Sequence, residues 1–416
     1  MEDFVHLHVH SQYSILDGQA AIKKLVDKAI ADGMKGIAVT DHGNMMGIKE
    51  FYNYVSKVNK GKTPEEMFKP IIGCEVYIAP RRLQDKETKD DRGYHLILLA
   101  KNMKGYKNLI KIVSKGYTEG LYMRPRTDRV ELEKYHEGLI CCSACIGGEK
   151  PRHIRTDSFE KAEEAIQWHQ SVFGDAYYFE LQIQQATVER ANHEAYHEQV
   201  KVNKHLIEYS KKFGVKLMCS NDVHFVDEEH AEAHDRLICL GTGRDLDDPK
   251  RMLYSKQEWM KTTAEMNELF ADVPEALRNT VEILNKVETY SIDHAPIMPT
   301  YAIPEEFGTE EGYRQKYTEK DLFDEFTQDE NGNVVMSEEE AKKKIEKLGG
   351  YDKLYRIKLE ADYLAKLAMD GAVKRYGEDM SEETRTRLKF ELHIMKTMGF
   401  PGYFLIVQDF IRAARE

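Results

Sequence analysis

The feature that most constrains this chain is an alternating stretch near its beginning, Phe4-Val-His-Leu-His-Val-His10. A period of two residues is typical of a β-strand, and it places His6, His8 and His10 on one face. Burying a row of imidazoles is costly unless a partner uses their nitrogen lone pairs. Neutral imidazole is also the commonest protein ligand of divalent metals. The stretch therefore predicts a strand that contributes to a metal site, provided that other segments bring further ligands to it.

Composition limits the class of protein. The chain has 416 residues, a formal net charge of −12 and six scattered cysteines that suggest no disulfide framework. We therefore expect a reducing, cytoplasmic location. No apolar run approaches the roughly 20 residues of a membrane span, and no secretory signal pattern opens the chain. The negative charge argues against a surface that holds nucleic acid by bulk electrostatics, so any DNA contact must be local or helped by a metal or a partner.

Seven short apolar runs occur in the first 225 residues, and most are followed by a helical pattern. Strands that alternate with helices predict a mainly parallel α/β sheet, and this many units favour closure into a barrel. An open doubly wound sheet is the alternative, but no glycine-rich phosphate-binding fingerprint follows any run. The predicted strands are Phe4–Val9, Gly36–Asp41, Ile71–Ile78, Tyr94–Ala100, Gly138–Ala144, Tyr177–Gln182 and Val215–Asn221.

Unusual polar residues lie in these runs or in the loops that follow them. Parallel barrels build their sites from the C-terminal ends of strands and the loops beyond. All of the residues except His95, which opens its run, fit that placement. The sequence thus predicts one shared site made of His8, His10, Asp17, His42, Glu75, His95, Cys145, Asp222 and His224.

The chemistry of this set predicts metal-dependent hydrolysis. Carboxylates with several imidazoles and one thiolate suit zinc, manganese or iron rather than calcium or magnesium. Nine candidate ligands from at least six segments are too many for one ion and suit two or three. Two metal ions about 3.5–4 Å apart serve phosphoester hydrolysis by activating water and stabilising the leaving oxygen. We therefore expect two or three divalent ions and a phosphoester substrate.

The chain beyond residue 225 has a different pattern. Helical segments precede a proline-containing segment with Pro296, Pro299 and Pro304, which is typical of a linker. A charged helical region follows, with Asn331-Gly332 as a turn, and a last predicted helix runs from Ser381 to Gly399. We expect a metal-binding barrel domain over residues 1–290, followed by a linker and a mostly helical segment over residues 291–416.

The polar motifs together resemble a known family. His8-x-His10, Thr40-Asp-His-Gly43, Gly73-x-Glu75, Tyr94-His95-Leu96, Ser143-x-Cys145 and Asn221-Asp-x-His224 are similar to the successive motifs of the polymerase and histidinol phosphatase (PHP) domain. The stretch up to Gly18 and the segment Met398-Gly-Phe-Pro-Gly-Tyr-Phe-Leu-Ile-Val-Gln-Asp409 resemble the N-terminal part of bacterial DNA polymerase III alpha subunits.

This resemblance implies a distorted seven-stranded (β/α) barrel of the PHP type with a cluster of three metal ions. In the family pattern His8, His10, Glu75 and Asp222 hold the first metal. Glu75 bridges to a second metal held by His95 and Cys145, and Asp17, His42 and His224 hold the third. The implied activity is 3′–5′ exonucleolytic proofreading, with Glu75, Asp222 and His10 as the expected catalytic residues.

The resemblance also implies partners and limits. Residues 291–416 correspond to a linker and an incomplete polymerase palm, because the palm's nucleotide-binding loop and catalytic aspartates lie beyond them. The chain is therefore expected to be an N-terminal fragment that does not polymerise DNA alone. Expected partners are a DNA primer 3′ end, the remaining domains of the polymerase, and the sliding clamp and proofreading subunit through the full-length protein. No membrane partner is expected.

Several alternatives remain open from the residues. The barrel could be a non-catalytic, metal-stabilised scaffold that docks a proofreading subunit, or a free-standing small-molecule phosphatase. Arg124 and Arg126 could contact a DNA phosphate or belong to a solvated loop. His6 is expected to be a hydrogen-bonded core residue, and Asp41 is expected to orient His42. His193-Glu-Ala-Tyr-His197 matches a zinc protease motif, but its polar flanks argue against that function.

Overall fold

The structure is a computed structural model that describes residues 1–87, 93–294, 297 and 299–416. The chain divides into two compact units, Met1–Asp293 and His294–Glu416. The first contains a mixed sheet with its helices, and the second is helical. Pro296 of the predicted linker lies outside the described residues. In the part of the chain that is described, no helix is long and apolar enough to cross a membrane.

The strands of the first unit follow the predicted apolar runs. Their order in the sheet is β4-β5-β2-β3-β6-β7-β8, and β1 pairs in parallel with the first half of β2. The short strands β4 and β5 lie at the edge beside the last residues of β2. The bounds are β1 Gly36–Val39, β2 Lys69–Ile78, β3 Tyr94–Ala100, β4 Leu121–Tyr122, β5 Arg124–Thr127, β6 Leu139–Cys142, β7 Tyr177–Leu181 and β8 Lys216–Cys219.

The N-terminal stretch closes this sheet into a barrel. On one side the amide of Ala38, in β1, donates to the carbonyl of His6 at 2.9 Å. On the other side the amide of Val223, just beyond β8, donates to the carbonyl of His8, and Val223 accepts from the amide of His10. The stretch is not a regular strand, yet its backbone forms hydrogen bonds to β1 on one side and to the segment after β8 on the other. The predicted seven-segment barrel is confirmed: the N-terminal stretch, β1, β2, β3, β6, β7 and β8 form its wall.

One strand runs against the predicted direction. β3 is antiparallel to both of its neighbours, with His95 paired to Tyr77 of β2 and Ile97 paired to Cys142 of β6. The other wall pairs, β1 with β2, β6 with β7 and β7 with β8, are parallel as expected. Because β3 is reversed, its first residues lie at the same end of the barrel as the last residues of the parallel strands. This explains why His95 opens its run, whereas the other candidate ligands lie within their runs or in the loops that follow them.

Amphipathic helices cover the barrel. In α1 the residues Ile22, Leu25, Val26 and Ala29 are buried, and the helix ends before Gly33, whose φ of 82° requires the freedom of glycine. The helices of this unit are α1 Ile22–Ala31, α2 Ile48–Val58, α3 Met103–Thr118, α4 Arg129–Tyr135, α5 Glu149–Arg155, α6 Phe159–Phe173, α7 Glu194–Phe213, α8 Ala231–Thr242, α9 Thr263–Leu269 and α10 Pro274–Lys286.

The second unit has a small apolar core of its own, formed around Leu322, Phe326, Leu354 and Leu359. The predicted last long helix is present as α15, which Ser381 caps through its side chain. Gly399, with a φ of 81°, follows that helix. Its helices are α11 Glu310–Lys316, α12 Glu319–Thr327, α13 Glu338–Lys347, α14 Tyr351–Tyr376, α15 Glu382–Thr397 and α16 Pro401–Arg415.

Candidate metal centre

The predicted site residues meet at one end of the barrel. Three groups each offer one ligand atom per residue, with all atoms of a group within 4.8 Å of one another. The groups share members, so they form one centre rather than three separate sites. They are His8, His10, Glu75 and Asp222; then Glu75, His95 and Cys145; and finally His10, His42 and His224.

The first group is the most deeply buried. Nε2 of His8 lies 3.0 Å from Glu75 Oε2, 3.1 Å from Asp222 Oδ1 and 3.1 Å from Nε2 of His10. Two imidazole nitrogens and two carboxylates thus point at a common centre, and His8, His10 and Glu75 are buried. Converging lone pairs repel one another unless a cation lies between them. The donor set of this group fits a divalent metal.

Glu75 links the first group to the second. Its Oε2 faces His8, whereas its Oε1 lies 3.0 Å from Nδ1 of His95 and 2.8 Å from Nδ1 of His42. Sγ of Cys145 lies 3.5 Å from the same nitrogen of His95. The reversed β3 and the turn after β6 bring His95 and Cys145 together, with an isolated bridge between His95 and Gly148. A carboxylate with one oxygen toward each group is suited to bridge two cations.

The predicted ligand Asp17 lies beside the third group, although it is not a member of it. Oδ2 of Asp17 lies 3.0 Å from Nε2 of His42, and Oδ1 lies 3.9 Å from Nε2 of His224. Among the described residues, Nε2 of His42, Nε2 of His224 and Oδ1 of Asp222 are buried without a well-aligned hydrogen-bond partner. Buried polar atoms are nearly always satisfied in native proteins. Three such atoms at one centre form a donor set that fits a divalent cation.

Electrostatics keep the acids ionised. Burial raises the pKa of Glu75, but His95, His42 and His8 around it outweigh burial and hold that pKa well below its usual range. Burial likewise raises the pKa of Asp222, and His8, His10 and His224 lower it overall. Burial, reinforced by His42 and His224, lowers the pKa of His10 to about 3. At neutral pH the site therefore offers carboxylates and a neutral His10 imidazole, which are the forms that bind metal.

Asp222 is held in an uncommon backbone conformation. Its φ is 49°, in the left-handed region that non-glycine residues seldom adopt. The next residue, Val223, is hydrogen-bonded to the N-terminal stretch through both its amide and its carbonyl. Strain of this kind persists where the surroundings determine the conformation, and it concentrates at functional sites. Here it directs the Asp222 side chain toward His8 and His10.

The centre opens into a cleft of about 290 Å³. Six candidate ligands line it together with neutral polar side chains, including Gln182 and Tyr254. Tyr254 donates its hydroxyl to Oδ1 of Asp17 at 2.8 Å. A ligand that enters this cleft therefore meets the metal-binding groups directly. The candidate ligands on its wall are His42, Glu75, His95, Cys145, Asp222 and His224, of which Glu75 is the most enclosed.

Sequence reasoning missed several residues that support the ligands. Nδ1 of His8 contacts Oε1 of Glu180 at 2.6 Å. Nδ1 of His10 contacts Oγ of Ser14 at 2.9 Å, and Ser14 in turn donates to Asp41. The signal for Glu180 was present, because it is a lone acid within an apolar strand. Nothing in the sequence indicated which imidazole it would meet.

The structure revises two expectations. Asp41 does not contact the His42 imidazole as a hydrogen-bond partner; it accepts from Ser11 and Ser14, and Ser14 contacts His10. Arg126, expected as a DNA contact, is buried and donates to the carbonyls of Gly120, Leu83 and Asp85, so it holds the loop instead. A buried guanidinium committed to carbonyls cannot meet a phosphate at the surface.

Two other side chains behave as the sequence indicated. His6 is buried beside the carbonyl of Lys261, at 2.8 Å from its Nε2, away from the ligand groups. His193 of the protease-like motif is exposed at the start of α7, and none of the metal-binding groups found in the described residues contains it. Arg124 is exposed, with its guanidinium 5.2 Å from the ring of Tyr77. It remains the candidate phosphate contact.

Comparison with known proteins agrees with this architecture. The model of the PHP domain matches residues 6–184, and the model described as the bacterial DNA polymerase III alpha NTPase domain matches residues 362–416. A solved amidohydrolase from Chromobacterium violaceum, with bound sulfate and no metal, covers 53% of this chain and 87% of its own, at 14% identity and a TM-score of 0.32. A TM-score of 0.32 is too low to indicate a shared fold. The barrel and the family match define a PHP-domain protein.

Similarity to curated proteins extends over nearly the whole chain. The DNA polymerase III alpha subunit of Borreliella burgdorferi is 40% identical over 418 residues, and that of Treponema pallidum is 36% identical over 417 residues. Each alignment covers 99% of this chain and 30% of the relative, so the chain spans about 30% of the length of these proteins. The chain is thus similar over nearly its whole length to part of the bacterial DNA polymerase III alpha subunits, and it matches two of the domain models found in such proteins.

Proposed function

We propose that this chain carries a metal-dependent phosphodiesterase site that removes nucleotides from DNA 3′ ends, as the proofreading part of a replicative polymerase. The observation that carries the proposal is the continuous centre of three ligand groups joined by Glu75 and His10. A compact structural site needs four ligands of one ion, whereas this centre offers nine side chains, six of which line a cleft. Such a centre is suited to phosphoester chemistry with more than one cation.

The residues would hold two or three ions in the arrangement that the resemblance implies. The ligands are His8, His10, Glu75 and Asp222 for the first ion, Glu75, His95 and Cys145 for the second, and Asp17, His42 and His224 for the third. Imidazole, carboxylate and thiolate together favour zinc, manganese or iron. When bound, such ions lower the pKa of water and neutralise charge on a phosphate.

The side chains themselves prepare the site for this chemistry. Glu75 and Asp222 are ionised and supply negative charge that attracts cations into a site from which water is largely excluded. His10 is neutral and takes part in the first and third groups. These three residues are therefore our candidates for catalytic roles, because all of them belong to the ligand group that would hold the first ion. Asp222 also lines the cleft, so it is accessible to a substrate.

The cleft limits the form of the substrate. A volume of about 290 Å³ is at the lower end of pockets that bind small ligands. We therefore propose that it takes a single terminal nucleotide rather than a paired duplex end. Arg124, exposed beside Tyr77, is placed to meet a phosphate of the strand that leads to this nucleotide. Since the net charge is −12, such a local contact must replace bulk attraction to DNA.

The wider context of the proposal follows from the family. We place the reaction in bacterial DNA replication, in the cytoplasm, with the primer 3′ end as substrate and the other domains of the polymerase as neighbours. The sliding clamp and a separate proofreading subunit are proposed partners of the full-length protein. Polymerisation is not proposed for these residues.

The direct test uses a primer–template with a mismatched, unpaired 3′ end and a label at the primer 5′ end. The purified chain is incubated with zinc or manganese, alongside His10→Ala, Asp222→Ala and the surface variant His193→Ala. We expect stepwise 3′ shortening by the parent chain and by His193→Ala, and none by the two site variants. A folded, metal-loaded parent chain that leaves the primer intact contradicts the nuclease.

A non-catalytic scaffold is the second candidate, and one observation favours it. His8, His10 and Glu75 are fully buried in the barrel wall, so metal bound there would stabilise the fold whether or not it reacts. Stabilisation by metal without any primer shortening supports the scaffold. A free-standing small-molecule phosphatase agrees less well, because residues 362–416 match a polymerase domain model.

A further inference from the structure

A buried carboxylate lies behind the first ligand group, and no role in the proposed chemistry involves it. Glu180 is in β7, between Phe179 and Leu181, and only 2% of its surface is exposed. An ionised carboxylate in such surroundings is costly unless it is hydrogen-bonded. Its position in the barrel wall therefore requires a specific set of partners.

Those partners converge on one oxygen. Oε1 of Glu180 lies 2.6 Å from Nδ1 of His8, and it accepts from Oγ of Ser220 at 2.5 Å and from Nε2 of Gln182 at 3.0 Å. Ser220 follows β8 and Gln182 follows β7, so two neighbouring strand ends hold the carboxylate in place. The amide of Glu180 also contacts Oγ of Ser143, at 2.9 Å. The carboxylate is thus fixed independently of His8.

The imidazole of His8 lies between this carboxylate and the ligand group. Its Nδ1 faces Glu180, while its Nε2 faces Glu75 and Asp222. An acceptor at Nδ1 requires a hydrogen on that nitrogen, so in the neutral ring the lone pair is on Nε2. Partners of this kind fix the tautomer and the orientation of metal-binding histidines and raise their basicity.

We infer that Glu180 is a positioning residue that fixes the tautomer and orientation of His8 so that its Nε2 can bind the first metal ion. Glu180 is not itself in any ligand group of the described residues, because the His8 ring separates it from the other donors. The inference rests on the proposed metal binding and is independent of nuclease activity.

The neighbouring histidine provides a contrast within the same group. At the equivalent position of His10, Nδ1 meets the neutral hydroxyl of Ser14 at 2.9 Å, which is longer than the His8 contact. Hydrogen bonds to an ionised partner are shorter and roughly twice as strong as neutral ones. His8 is therefore the more strongly oriented of the two imidazoles. Removal of its partner should reduce metal affinity more than removal of the partner of His10.

The test is a metal titration of the whole chain and of Glu180→Gln, starting from metal-free protein and followed by calorimetry. The amide is a weaker acceptor and can present an N–H to Nδ1, which moves the ring hydrogen to Nε2. We expect the affinity of one bound ion to fall by about 10–100-fold, as for other supporting partners of metal ligands. The remaining ions should bind as in the parent chain.

The matched control is Glu258→Gln. Glu258 is also a buried carboxylate beside the cleft, but its side chain accepts from Ser255 rather than from an imidazole. We expect unchanged affinity for this variant. Parent-like affinity in Glu180→Gln, or an equal loss in both variants, overturns the inference. Failure of the parent chain itself to bind metal would instead count against the proposed function.

A second measurement covers the case in which Glu180→Gln does not fold. Ser220→Ala removes one hydrogen bond to Glu180 and leaves the carboxylate in place, so we expect a smaller drop in the affinity of the same ion. Nitrogen-15 chemical shifts of the metal-loaded parent chain report which His8 nitrogen carries hydrogen. A hydrogen on Nδ1 supports the inference, and metal binding through Nδ1 overturns it.

Discussion

The interiors of the two units differ in what they bury. The core of His294–Glu416 is built from apolar and aromatic side chains such as Leu322, Phe326 and Leu359. The barrel of Met1–Asp293 adds to its apolar core a layer of buried histidines and acids at one end. Apolar burial is favourable without any partner, whereas buried polar groups need one. The comparison predicts that a bound cation stabilises the first unit and not the second.

The largest expected effect comes from removing the residue that joins two ligand groups. Glu75→Gln keeps the shape of the side chain but takes away the charge that faces His8, His42 and His95. We expect primer shortening to fall by at least about 10²–10³-fold, the loss that follows removal of one electrostatic group from an active site. Bound metal, measured by atomic emission, should fall by more than one ion, whereas loss of a single ion contradicts the bridging role.

Metal removal should have the next largest effect. It should lower the stability of the first unit and leave that of the second unchanged. An ion present at a thousand times its dissociation constant stabilises the folded state by about 4 kcal/mol. We therefore expect chelation to reduce hydrogen-exchange protection in the barrel strands by a corresponding amount. Protection in α14, around Leu354 and Leu359, should not change. Equal loss in both units would remove the distinction between them.

The reverse experiment changes the second unit alone. Leu359 is 1% exposed in its core, and Leu359→Ala should cost about 2–4 kcal/mol through lost burial and a cavity. Because that core contains no metal ligand, the cost should be the same with and without chelator. The measurement is urea unfolding followed by exchange in α12 and α14. A cost that depends on added metal contradicts the expectation.

The smallest expected effect is on stability, and it comes from a buried lysine that belongs to none of the candidate ligand groups. Lys150 is fully buried beside His169 and Tyr177, and burial lowers its pKa from 10.5 to about 8. Below pH 8 both folded and unfolded chains carry this proton, so folding bears the full cost of burying it. Between pH 8 and 10.5 the folded chain loses the proton first, and stability rises with pH.

Lys150→Met should therefore stabilise the chain at pH 7, by about 1–2 kcal/mol once lost contacts are included. The gain should shrink toward zero as the pH approaches 10. Urea unfolding at several pH values measures both. A gain that does not vary with pH would show that packing, not charge, is responsible.

Much of the fold could be predicted because apolar periodicity depends on local sequence. All seven predicted runs became segments of the barrel wall, including the N-terminal stretch that closes it. The direction of β3 could not be predicted, because a period of two residues is the same in either direction. That reversal brings His95 to the same end of the barrel as Cys145.

The site shows the same division. Residue types and their positions in or after apolar runs were enough to predict that His8, Glu75 and Asp222 lie close together, since the ends of neighbouring strands must meet. The partners that orient them were not predictable. Glu180 is 172 residues from His8 in sequence, and only the pairing of β7 within the barrel brings it to Nδ1. Arg126 shows the converse, because a charged residue in a basic loop proved to be buried.

The sequence by itself determined which side chains of this protein could bind metal and that strands would carry them to one place. Those properties follow from residue chemistry and from the two-residue period of a strand, both of which are local. The tertiary structure alone decided the direction of β3 and the placement of a carboxylate behind His8. Each of these depends on distances between segments that are far apart in the chain, and no local pattern encodes such distances.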